Sequence, residues 1–166
     1  MKNKKLIAAR IIMTLLSLGA ICFIFSNSLM NADDSQGMSD GVMDSINRWL
    51  CSLNINIVLD EVIIRKTAHF TEFAVLGALL CATAYLYLKK RPRSLLTAFG
   101  LGALTGISDE LLQTTSTGRS CEVRDMLIDS SGALLGALAA ILIITIIIRI
   151  KNKRKTKLIT EGENNG

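Results

Sequence analysis

The sequence predicts an all-α, polytopic membrane protein with four transmembrane helices and an external amphipathic helix. Three observations carry this. Half of the 166 residues are hydrophobic, and the mean hydropathy is +0.42. The apolar residues come in long unbroken runs, not at the helical or strand period of a soluble domain. The basic residues gather at the ends of those runs, and all of these ends fall on one side if there are four spans. The length suits one domain, over residues 1–150, followed by a basic and polar tail over 151–166. Twelve glycines without a three-residue period exclude collagen, and four cysteines are too few for a disulfide-built scaffold.

Residues 11–32 carry no charge, which places the first span at about 6–26. The run is longer than a signal-peptide core and lacks an A-x-A site, and Ile21 before Cys22 is not the small residue that lipoprotein cleavage prefers. It is therefore read as a retained span. Residues 26–66 follow as an external loop. Within it Val42, Met43, Ile46, Trp49, Leu50 and Leu53 recur at helical spacing, with Asp40, Asp44, Asn47 and Arg48 opposite. Such a helix either lies in the outer interface with Trp49 at headgroup level or packs as a lid over the bundle.

Two later runs fall short of a bilayer crossing. Phe73–Leu88 and Ser94–Ser108 reach about 20 residues only by taking in polar neighbours, His69 and Glu72 in one case, Asp109, Glu110 and Gln113 in the other. The spans become 67–88 and 94–113, and the uncharged run 130–148 gives the fourth at 126–149. The tail from Lys151 to Gly166 is expected to be disordered.

Fourteen of the nineteen basic residues lie before the first span, in the turn between the second and third, or after the fourth. The positive-inside rule then puts both termini in the cytoplasm. Sorted in this way the net charge of +5 is an orientation signal, with no nucleic-acid partner expected.

The polar residues converge on the external end. Arg65, His69 and Glu72, at i, i+4 and i+7, fall within about 60° on a helix. Gly102, Gly106, Asp109 and Gln113 share a face of the third span, with Glu110 beside it; Asp125, Asp129, Gly132 and Gly136 share a face of the fourth. The two GxxxG spacings let helices approach closely and aim Asp109 and Asp129 inward. Ionisable groups at membrane depth are functional candidates, because they are expensive unless paired or wetted. Arg119, in the Ser/Thr-rich turn before the fourth span, either clamps an anion through its planar fork or neutralises the acidic helix ends.

Several motifs in order, Arg65-Lys66-Thr67-Ala68-His69-Phe70-Thr71-Glu72-Phe73, then Asp109-Glu110-Leu111-Leu112-Gln113, Gly118-Arg119-Ser120, and Asp125 through Asp129 to Gly132, resemble the VanZ-like family. Phe25-Ser26-Asn27-Ser28, placed in the loop after the first span, belongs to the same pattern. The resemblance implies a small multi-span protein of the bacterial cytoplasmic membrane, in a family whose name-giving member is linked to teicoplanin resistance. Relatives often carry a His where this chain has Leu112, so His69 is its only histidine.

Three readings follow. In a binding protein, an outward polar pocket engages a membrane lipid, a lipid-linked cell-wall precursor or a lipoglycopeptide antibiotic, through Arg65, Lys66, Gln113, Arg119, Asp125 and Asp129. In an enzyme on such a substrate, His69 is the general acid or base, Glu72 tunes it, and Asp109 and Glu110 form a carboxylate pair. In a proton-coupled transporter, His69, Glu72 and Asp109 are a relay. No cofactor is required. A divalent cation is the alternative to ion pairing with Arg65 and Arg119, held by His69 with Glu72 and Asp125 with Asp129; with one His and no Cys cluster, magnesium or calcium is expected rather than zinc. Cys22 and Cys81 fall in spans, while Cys51 and Cys121 are both external, which permits a disulfide.

Overall fold

A computed structural model describes residues 2–30, 32–53, 55, 60–117 and 121–163. Among the described residues the fold is helical, without strands: α1 Lys2–Ser28, α2 Ala32–Ser52, α3 Glu61–Leu88, α4 Arg91–Gln113 and α5 Val123–Glu163. Four of these, α1, α3, α4 and α5, are long and apolar enough to cross a membrane.

The boundaries differ from expectation in three places. α1 continues through Ser28, so Ser26, Asn27 and Ser28, read as loop, form its last turn. α3 begins at Glu61 rather than at 67; Asp60 precedes it in extended backbone, and Glu61 in the first turn complements the helix dipole. The tail expected to be disordered from Lys151 is a continuation of α5 as far as Glu163. Neither Gly nor Pro interrupts the chain between Ala137 and Thr160, and Lys, Arg, Leu and Ile propagate an existing helix with little loss. The turn between α3 and α4 is tight: Lys89 is left-handed (φ 56°) and donates its N–H to the Tyr85 carbonyl, and Pro92 opens α4 where its missing N–H matters least.

α3 is the hub, packed against α1, α2, α4 and α5. The burial pattern is that of a bundle in lipid. Leu15, Leu16, Phe23, Leu96, Leu104, Leu135 and Leu142 face outward, while Ala98, Ala133, Ala137 and Cys81 fill the interior around Ile24, Phe73 and Leu76. Small interior residues let backbones approach closely, and large apolar ones meet the acyl chains. The α3–α5 contact shows how close. A Cβ on Gly136 would lie 1.7 Å from the Ala74 carbonyl oxygen, and one on Gly77 would lie 2.0 Å from that of Ala133. The expected GxxxG of α5 thus packs on α3, with Gly77 as its unforeseen counterpart.

Candidate functional site

The antiparallel order of the spans brings four helix ends together: the C-terminal turns of α1 and α4 and the N-terminal turns of α3 and α5. Each delivers polar side chains into the interior. Asp109 and Asp129 are both 0% exposed and Glu110 is 1% exposed, an unusual density of buried acid for so small a bundle.

Asp109 is held from two sides. Ser28 Oγ donates to its Oδ1 at 2.5 Å, and Gln113 Nε2, one turn further along α4, donates to Oδ2 at 3.1 Å. Ser116 Oγ donates to the Ser28 carbonyl at 3.1 Å, which ties the end of α1 to the turn after α4. Asp129 comes from α5 on the other side. A Cβ on Gly106 would lie 3.1 Å from that of Asp129, so the glycine in α4 sets how near this acid can come. Neither carboxylate oxygen of Asp129 has a hydrogen-bond partner among the described residues. Its near neighbour is His69 of α3, whose Nδ1 is 3.9 Å from Oδ1. The imidazole is 22% exposed and forms the edge of the cluster toward solvent.

The other expected site residues sort into positions around this centre. Glu72 reaches α1: its Oε1 accepts from Asn27 Nδ2 at 3.2 Å. Glu110, beside Asp109 in the last turns of α4, is also tied to α5. Its Oε2 accepts the backbone N–H of Glu122 at 2.9 Å, securing the entry to α5. The two acids are adjacent in sequence, and adjacent helical positions point about 100° apart. Lys66 Nζ lies 2.5 Å from Asp125 Oδ1 and 3.9 Å from Glu122 Oε2, so the cation that neutralises the start of α5 comes from α3. Arg65 is half-buried one turn before His69; no hydrogen bond or ion pair joins it to the cluster among the described residues. Arg119 lies outside the described residues. Asn27 and Ser28 were missed as site residues because their stretch reads as a loop. Their signal was their place in the ordered motif set.

Two apolar grooves run along α3 at this end. One, of about 330 Å³ between α3 and α5, is lined by Val62, Ile63, Thr67, Phe70 and Ile128, with Lys66 as its charged member. The other, of about 380 Å³ beneath α2, is lined by Val42, Ile46, Ile64, Ala68 and Thr71, with Glu72 as its charged member. α2 therefore packs on α3, the cover role expected of it, and Trp49 remains exposed. The four cysteines are free thiols, so the disulfide permitted between Cys51 and Cys121 is not formed.

The family match agrees with the motif pattern: the VanZ/LLP1 family matches residues 13–146, from within α1 to within α5, which take in the cover helix and every residue of the cluster. Comparison with curated proteins and with solved structures gives no match.

Proposed function

The chain belongs to the VanZ/LLP1 family of multi-pass membrane proteins, and on that premise we propose that its polar end faces outward and binds an amphiphile with an anionic head, a lipid-linked cell-wall precursor. One observation carries this reading. The groove between α3 and α5 has apolar walls that suit an acyl tail, and its one charged lining residue is Lys66, for which a phosphate head would compete with Asp125 and Glu122. The second groove extends the apolar surface under α2. The buried cluster behind them holds the helix ends in register. The outward orientation rests on the basic residues at the opposite end of the bundle. Engagement of wall precursors at the outer leaflet would also lower sensitivity to lipoglycopeptides such as teicoplanin, which act on the same material.

The test is photo-crosslinking of purified protein with a photoreactive lipid-linked wall precursor. Crosslinks are expected on peptides containing Val62, Ile63 or Ile128, reduced about tenfold in Lys66→Gln, the loss of one charge-assisted contact. Crosslinking spread evenly over the lipid-facing surface would sink the reading, and a changed covalent mass of the precursor would assign the site catalysis instead. For orientation, Cys121 in a Cys51→Ser background is labelled in intact cells by an impermeant thiol reagent. Asn152→Cys is labelled only after lysis; the reverse pattern inverts the topology.

A further inference from the structure

His69, Asp109 and Asp129 come from three different helices, α3, α4 and α5, and one donor atom from each lies within 4.8 Å of the other two. Close approach of acids alone would say little. The additional observation is Asp129: its carboxylate is fully buried, faces the other two residues, and has no hydrogen-bond partner for either oxygen among the described residues. A buried carboxylate left without a donor is strongly disfavoured, and a second buried carboxylate beside it makes the deficit of positive charge larger. The nearest described lysine, Lys66, is already engaged by Asp125 and Glu122.

We propose that His69, Asp109 and Asp129 form a binding site for one first-row divalent cation, manganese or zinc. An imidazole nitrogen with two carboxylate oxygens is a mixed donor set that suits these ions better than the all-oxygen preference of magnesium or calcium. The ligand grouping differs from the one expected from sequence. Glu72 is turned to Asn27 and Asp125 to Lys66, whereas Asp109 joins from the neighbouring helix. First-row ions sit about 2.0–2.2 Å from such donors, which places donors roughly 3 Å apart. The His69–Asp129 separation of 3.9 Å closes to that by a small side-chain rotation. Ser28 and Gln113 orient the Asp109 carboxylate in the way outer-shell donors fix a ligand. Three protein donors leave coordination positions open, and the partly exposed His69 marks the side from which water or an anion would reach them. The inference goes beyond the amphiphile reading: ion binding requires no lipid, and either can fail without the other.

The experiment uses the full chain in detergent, stripped with EDTA and equilibrated with Mn(II) alone. Electron paramagnetic resonance is expected to count one bound Mn(II) per chain, displaced by Zn(II), with nitrogen coupling from the imidazole in the spin-echo modulation. Asp129→Asn and His69→Ala weaken binding by more than the roughly 10- to 100-fold that loss of an outer-shell partner produces, and Asp44→Asn on α2 leaves it unchanged. Wild-type protein that takes up no Mn(II), or takes it up without nitrogen coupling, overturns the proposal, as does undiminished binding by a folded Asp129→Asn. The wild-type coupling decides the question even where a variant fails to fold.

Discussion

The two ends of the bundle handle charge in opposite ways. At the end that carries the termini, charged side chains find partners at helix ends and on surfaces. Arg10 donates through Nε and Nη2 to the Leu86 carbonyl at 3.2 and 3.1 Å and lies 4.9 Å from the Tyr87 ring centroid. Arg91 donates to Thr145 Oγ1 at 3.0 Å. These are cations against the carbonyl-rich C-terminus of α3 and a neighbouring hydroxyl, arrangements that favour the folded helix. At the other end, three acids from two helices, α4 and α5, are drawn inside, and one of them is left without a hydrogen bond among the described residues. Burying an acid in this way destabilises a bundle, so stability alone does not account for it. The difference teaches that the basic end adds to the stability of the fold while the polar end detracts from it, which is what the proposed division into an orienting end and a ligand-binding end requires.

The largest effect expected lies between the ends, where both depend on α3 and α5 staying in contact. Gly136→Leu sets a side chain against the Ala74 backbone and costs about 3 kcal/mol or more, read as loss of the monodisperse, cooperatively melting species in detergent. A variant that melts like wild type would mean that the close approach is dispensable. At the polar end, Ser28→Ala removes the donor to Asp109 and destabilises by about 1–3 kcal/mol, since the acid stays buried.

Asp129→Asn sharpens the contrast by its sign. In EDTA it is expected to raise the melting temperature by about 2–4 °C, the shift that about 1 kcal/mol produces in a chain of this size. A fall in melting temperature in EDTA would show that the carboxylate is stabilising in its own right. The smallest effect belongs to the basic end. Arg10→Ala is expected to cost about 1 kcal/mol in a thermal melt and to leave ligand binding as it was.

Much of this was legible in the sequence. The uncharged runs located the spans, and the shortfall of the second and third runs pointed to His69, Glu72, Asp109 and Glu110 near one end. Helical periodicity found the cover helix, though it starts at Ala32, where polar residues hide the period. What periodicity does not carry is the pairing across helices. It did not foresee that α1 supplies Asn27 to Glu72. Nor did it show that Glu110 also secures the backbone of Glu122 at the entry to α5. Gly77 escaped notice because its partner motif is on another helix, and a single glycine in an apolar run has no local signature. Ser28 was hidden by a boundary error of a few residues, the least reliable feature of any helix read from sequence.

Occupancy of the purified protein by a lipid-linked wall precursor, read by native mass spectrometry across variants from both ends, tests the division of labour most directly. Lys66→Gln, at the groove of the polar end, is expected to lose bound precursor, while Arg10→Ala and Arg91→Ala, at the basic end, retain the wild-type level. Equal loss from both ends, or full occupancy in Lys66→Gln, would contradict the assignment of function to the polar end.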